Sequence, residues 1–148
     1  MMNYEEKLQQ VKCKHFINGE YVPSDGGNHF DVINPSDEQV IGQAVTGSPY
    51  DVERAVKSAY EAFHKGEWRK MNDCDRGKIL YKFADLLDEN TEWLAYYETL
   101  NCGKPLKVSK NEDIPATAQT YRYFAGQTDK IKGHTIPMSK PFFGMTKK

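Results

Sequence analysis

Short apolar runs flank Asn18-Gly19 in the stretch from His15 to Val22. Both central residues of a tight type I′ turn need positive φ, and Asn-Gly supplies it at least cost, so the pattern predicts a β-hairpin. A second strand pair is predicted where Phe30 to Ile33 enters Asn34-Pro35-Ser36-Asp37 and leaves through Gln39 to Gly42, because proline drives the preceding residue out of the helical region. The apolar period then lengthens from two residues to about 3.6. Ser48-Pro49-Tyr50-Asp51 joins an N-cap serine, a proline at the first helical position and an acid at the third, and Val52, Ala55, Val56, Ala59 and Phe63 follow on one stripe. A second helix is expected from Asn72 or Asp73 with Ile79, Leu80, Phe83, Leu86 and Leu87 on its apolar side. A third carries Trp93, Leu94, Tyr97 and Leu100 and stops at Gly103 and Pro105. A fourth is expected to open at Asn111 or Glu112, to face Ala118, Tyr121, Phe124 and Ala125 inward, and to end before Gly133. His134 to Met138 and Phe142 to Thr146, either side of Ser139-Lys140-Pro141, predict a last hairpin.

The expected order is therefore an N-terminal hairpin, short strands, four helices and a C-terminal hairpin, an α+β arrangement. No strand-helix alternation with a glycine-rich turn occurs, so no parallel sheet with a nucleotide crevice is expected from these residues. At 148 residues, with 39% hydrophobic and 28% charged positions and a mean hydropathy of -0.75, the chain reads as polar and globular rather than disordered. Twenty basic residues against twenty-one acidic ones leave a net charge of -1, which gives no field favouring nucleic acid or an anionic membrane. The lysines near the end, Lys130, Lys132, Lys140, Lys147 and Lys148, have no arginine-rich or stacking pattern beside them and read as a solvated face. No run reaches the apolar length of a membrane span. Three widely spaced cysteines, Cys13, Cys74 and Cys102, suit a reducing compartment, and Glu5 and Glu6 stand where a signal peptide would be apolar. The expectation is a cytoplasmic chain with neither a nucleic-acid partner nor a membrane span.

Candidate chemistry is sparse. Cys102 has Lys104 nearby but falls at a helix C-terminal end, whose dipole disfavours a thiolate, so it reads as a turn residue rather than a nucleophile. Gly103-Lys104 lacks the earlier glycine and the following Ser or Thr of a phosphate loop. His15, His29, His64 and His134 share no ligand spacing. Arg76 and Arg122 lie among apolar helix residues and read as structural partners of carboxylates.

Seven stretches in fixed order carry a resemblance. They are Phe16 to Val22, Phe30 to Pro35, Trp68 to Met71, Arg76 to Leu80, Ala84 to Leu87, Glu98 to Pro105 and Tyr121 to Gly126, followed by Gly133 to Pro137 with Phe142-Phe143. In order and spacing they resemble the N-terminal region of the NAD(P)-dependent aldehyde dehydrogenases, an α/β fold. The resemblance implies a division into an N-terminal extension (1–14), an incomplete N-terminal part of a cofactor-binding domain (15–132) and the first part of an oligomerisation hairpin (133–148). It implies, for a full-length enzyme, oxidation of an aldehyde to a carboxylic acid through a cysteine thiohemiacetal, with NAD or NADP as hydride acceptor and a glutamate base. In that family those groups lie beyond the matched segment, so no catalytic or cofactor-binding residue is assigned here and the isolated chain is expected to be inactive.

Two further sites follow from the same resemblance. Val32, Ile33 and Asn101 correspond to a monovalent-cation site in which Asn101 replaces an aspartate. Ala116, Gln119 and Thr120 correspond to the helix lining the substrate tunnel. The implied partners are the remainder of the enzyme or another chain supplying the missing sheet, within a homo-oligomer or larger assembly; the alternative is a non-catalytic structural or assembly subunit derived from such an enzyme. If five or six large side chains normally pack on that sheet, leaving them wet forfeits on the order of 10 kcal/mol, comparable to a typical domain's whole stability.

Overall fold

The computed structural model describes Leu8 and residues 14–147. The N-terminal extension assigned to 1–14 thus lies almost wholly outside the described residues, as does Cys13. Strands β1 (His15–Ile17) and β2 (Glu20–Val22) pair antiparallel around Asn18 and Gly19, whose φ values of 55° and 81° are those the Asn-Gly turn demands. Strands β3 (His29–Ile33) and β4 (Val40–Val45) form a second ribbon with Phe30 opposite Ala44 and a bulge between Val32 and Ile33. Strand β4 runs three residues further than the apolar pattern suggested.

Helix α1 (Pro49–Lys65) begins with the expected N-cap serine, which forms a capping box in which Ser48 and Asp51 satisfy each other's backbone N–H groups. A single turn, α2 (Glu67–Lys70), leads to α3 (Asp73–Glu89), capped by the Asn72 side chain, and then to α4 (Thr91–Cys102). Gly103 closes α4 in the left-handed region at φ 72°, and its N–H donates to the Thr99 carbonyl at 2.9 Å.

The fourth helix departs from its expected start. It begins directly after Pro105 as α5 (Leu106–Val108), widens into a π-helical segment (Ser109–Asp113) and continues as α6 (Ile114–Ala125). Pro115 accounts for the irregularity. A proline inside a helix has no N–H to give and its ring crowds the carbonyl four residues earlier, here that of Asn111. The wider turn, with the Ile114 N–H donating to the Ser109 carbonyl, carries the chain past that position without ending the helix. Strands β5 (Thr135–Ile136) and β6 (Gly144–Met145) then pair as the last hairpin, shorter than the sequence suggested.

Helices α3 and α6 make the closest packing in the chain, through small residues. Ala84, Ala118 and Ala125 are buried, and a Cβ added at Gly77 would stand 2.9 Å from the Ala125 carbonyl oxygen and from Thr128 Oγ1. Phe83 and Tyr121 meet edge to face at 4.7 Å between centroids. Arg122 Nη2 reaches Asp85 Oδ1 and Asp88 Oδ2, both at 2.6 Å, as the sequence reading of a structural guanidinium required. Arg76 likewise pairs with Asp73 at 2.6 Å.

The apolar interior is small. Among the described residues the buried apolar side chains are Ile17, Ala84, Ala95, Ala118 and Ala125, whereas twenty-five large apolar or aromatic side chains are exposed. Phe124, expected inward, is 58% exposed, and Tyr121 sits at the margin. The inward side of α6 is narrow because the close approach of α3 admits alanine there and nothing larger.

Replacing Gly77 by alanine tests this crossing. The gain in helix propensity is about 1 kcal/mol, but overpacking against a backbone carbonyl costs about 1–3 kcal/mol. The expected result is a lower urea midpoint by circular dichroism; an unchanged or higher midpoint would mean the helices do not meet this closely.

Candidate functional site

The β3–β4 turn and the end of α4 come together. Asn34 is buried at the turn, where its Oδ1 accepts from the Ser36 N–H at 3.0 Å and its own N–H donates to the Gln39 carbonyl at 2.9 Å. That Asx turn presents Pro35 to Gly103, and a Cβ on Gly103 would lie 2.8 Å from Pro35 Cγ. Glycine is thus required at position 103 twice, for its positive φ and for the approach of the proline ring.

This meeting draws together the segments carrying Val32, Ile33 and Asn101. Val32 is half-buried, Ile33 is exposed, and the bulge between them interrupts the ladder there. Asn101 is exposed in the last turn of α4, with its Nδ2 4.0 Å from Cys102 Sγ. No cluster of three or more His, Cys, Asp or Glu side chains suited to a metal occurs among the described residues. Of the three residues only Asn101 has a polar side chain, and it is uncharged.

Cys102 lies beside this junction, exposed. A hydrogen bond to the Glu98 carboxylate, partial burial and the Glu98 charge together push its thiol above the usual range, and Lys104 offsets them only in part. Lys104 is itself engaged, with Nζ 2.9 Å from Asp113 Oδ2 and 3.6 Å from Glu98 Oε1, and both acids hold its pKa up. The arrangement suppresses a thiolate, in agreement with its reading as a turn residue.

Ala116, Gln119 and Thr120 share one exposed face of α6, opposite the buried Ala118. Thr120 Oγ1 donates to the Ala116 carbonyl at 2.9 Å, so its hydroxyl proton is used within the helix and the Gln119 carboxamide is the main polar group on that face.

One polar cluster went unrecognised in the sequence beyond its capping role. The Asp51 side chain is only 3% exposed. Its carboxylate accepts from the Ser48 N–H and hydroxyl at 3.0 Å each and from the Asp25 N–H at 3.2–3.3 Å. The Ser24 hydroxyl stands 3.2 Å from Asp51 Oδ2 and 2.6 Å from the Thr46 carbonyl, so its single proton is shared between them. His15 Nε2 at 3.5 Å and Arg54 Nη1 at 3.8 Å complete the surroundings. A buried carboxylate is tolerated only when hydrogen-bonded in this way. The bonds from Ser48 and Asp25 outweigh burial and draw the Asp51 pKa from 3.8 to about 2. The Ser-x-x-Asp spacing signalled the cap, but nothing local signalled Ser24 and Asp25, which arrive from another part of the chain. Beside this cluster, a hollow of about 250 Å³ between the first hairpin and α1 is lined in part by Glu20, Arg54, Lys57 and Glu61, whose charges cancel.

The model of the aldehyde dehydrogenase family matches residues 21–148. Cytosolic 10-formyltetrahydrofolate dehydrogenase of Xenopus tropicalis is 42% identical over 145 residues, covering 95% of this chain and 16% of its own length. Aldehyde dehydrogenase 1 of Tanacetum cinerariifolium is 44% identical over 133 residues, covering 90% of this chain and 27% of its own. The NAD+ complex of an aldehyde dehydrogenase from Bacillus cereus superposes with a TM-score of 0.87 at 41% identity, over 98% of this chain and 30% of that one. Betaine aldehyde dehydrogenase from Staphylococcus aureus, also solved with NAD+, gives 0.85 at 37% identity, over 94% and 27%. The chain belongs to the aldehyde dehydrogenase family, and it spans between about a sixth and three tenths of the length of these relatives.

Two measurements test the local chemistry. Because the folded-state pKa of Asp51 is depressed, its contribution to stability is complete above about pH 4 and is lost as pH falls from 3.8 towards 2. Asp51→Asn should lower the urea midpoint at pH 7 and flatten its fall below pH 4; an acid limb identical to that of the unsubstituted chain would exclude the clasp. Glu98→Gln removes the leading cause of the raised Cys102 pKa. Alkylation of Cys102 at neutral pH, followed by peptide mass spectrometry, should then accelerate several-fold, and an unchanged rate would contradict the assigned pairing.

Proposed function

We propose that this chain is the N-terminal portion of an aldehyde dehydrogenase, contributing scaffold rather than reacting groups to the NAD(P)-dependent oxidation of an aldehyde to a carboxylic acid. The observation that carries the reading is the match of 98% of the chain to only 30% of a solved NAD+-bound aldehyde dehydrogenase. The hydride acceptor, when bound, supplies the redox chemistry. Among the described residues every strand pair is an antiparallel hairpin, so the cofactor is held by polypeptide of the kind that makes up the other part of the relatives.

Within that enzyme, residues 15–132 are the opening of the cofactor-binding domain and residues 133–148 the start of an oligomerisation hairpin. In support, the unpaired edges of β5 and β6 and the exposed Phe142, Phe143 and Met145 offer a second copy both hydrogen-bonding and apolar surface. The carbonyls of Val32 and Ile33 with Asn101 Oδ1 form a monovalent-cation site; the interrupted ladder and the Pro35–Gly103 contact support it. The missing aspartate charge makes binding there weaker than a carboxylate would. Ala116, Gln119 and Thr120 line the aldehyde entrance, and the small side chains of Ala116 and Thr120 suit a wide tunnel. The cytosolic relative and the thiols of Cys74 and Cys102 support a cytoplasmic location. No described helix is long and apolar enough to cross a membrane.

The test is reconstitution. The chain alone should form no NADH from NAD+ and a simple aliphatic aldehyde. Residues 1–148 joined to the part of the Bacillus cereus enzyme that lies beyond the matched 30% should do so. Turnover by the chain alone, or a folded joined protein without turnover, would overturn the reading.

A further inference from the structure

The first hairpin turns on a dipeptide with chemistry of its own. Asparagine is a thermally labile residue, because its carboxamide is open to attack by the backbone nitrogen of the residue that follows, and a side chain on that residue obstructs the approach. Asn18 alone among the asparagines is followed by glycine. It is exposed at the hairpin tip, and a Cβ added at Gly19 would meet nothing within 4 Å, so the attack is unobstructed. The Gly19 N–H lies outside the ladder, between the paired Ile17 and Glu20. The turn conformation sets the barrier. With φ at 55° and 81°, the two residues must leave the left-handed region before the nitrogen reaches the carboxamide carbon. Strands of three residues each, paired only with one another, allow that opening.

We propose that Asn18 is a site of spontaneous deamidation, through which the first hairpin acquires a carboxylate and, in one product, a longer backbone. The Gly19 nitrogen bonds to Asn18 Cγ as the Cγ–Nδ2 bond breaks, and its proton leaves with Nδ2 as ammonia. Water then opens the five-membered imide at one of its two carbonyls. Opening at the side-chain carbonyl gives aspartate; opening at the main-chain carbonyl gives isoaspartate, in which the backbone runs through Cγ and is one carbon longer. Nothing is oxidised or reduced. A two-residue turn fixes the strand register and does not accept an extra backbone atom within it. Isoaspartate therefore unsettles the pairing that holds Ile17, a buried residue, beside α1. Either product also tips the balanced charges of Glu20, Arg54, Lys57 and Glu61, which share a hollow with Asn18, towards the negative.

The full chain is held for days in mildly alkaline buffer, and its peptides are read by electron-transfer fragmentation, which separates aspartate from isoaspartate. Position 18 should convert at least tenfold faster than any other asparagine and give both products. Conversion no faster than elsewhere would overturn the site, and aspartate without isoaspartate would overturn the imide route. The consequence is read by nuclear magnetic resonance through the cross-strand contact of the Phe16 and Tyr21 rings, 5.1 Å between centroids. The isoaspartate fraction should lose that contact, whereas Asn18→Asp, which adds the charge without the carbon, should keep it. Persistence of the contact in the isoaspartate fraction, or its absence from the unmodified chain, would overturn the change of register. Loss in Asn18→Asp as well would assign the effect to charge and overturn the role of the longer backbone.

Discussion

The Asp51 carboxylate, held out of solvent by donors from Ser24, Asp25 and Ser48, fixes which way the first long helix faces, and the exposure of that helix's apolar stripe follows from it. A capping box alone would leave α1 free to rotate about its axis. The additional bonds to the segment after β2 remove that freedom, because any rotation leaves an ionised group buried without partners. The helix is therefore anchored through its polar edge, and its apolar stripe has no place in the interior of this chain.

The same asymmetry recurs beyond α1. Where two helices do pack, at α3 and α6, they meet through glycine and alanine, and the larger residues of both are pushed to the margins. Close backbone approach gives good dispersion contact but removes little apolar area from water compared with a leucine or phenylalanine core. Ion pairs such as Arg122 with Asp85 and Asp88 add orientation more than stability, since they are largely exposed. A chain built this way has well-specified local geometry and little central adhesive, as expected of one portion of a larger folded unit.

Local chemistry was the legible part of the sequence. Asn18-Gly19, Ser48 with Asp51, Asn72, and Gly103 with Pro105 each act within a few residues, and each produced the turn, cap or stop that its side chains dictate. The ordered motifs also fixed the family. Long-range consequences were not legible. Pro115 and the acids near it carry the pattern of a helix beginning, whereas a π-helical turn takes the chain past the proline and the helix starts earlier. Spacing alone puts Phe124 inward, since it reports a face without saying how close the neighbour will come; the side chain is exposed. The candidate site divides the same way. Its turn and glycine were visible, while the contact of Pro35 with Gly103 and the pairing of Cys102 with Glu98 depend on segments far apart or on rotamers that spacing does not encode.

Among its described residues the chain is locally ordered around only a small apolar core. Native-state hydrogen exchange on the isolated chain tests it most directly. The account predicts weak protection overall, greatest where α3 and α6 cross, with the amides of α1 beyond its capped first turn exchanging far sooner. Uniform protection that is lost in one cooperative step across hairpins and helices alike would contradict it.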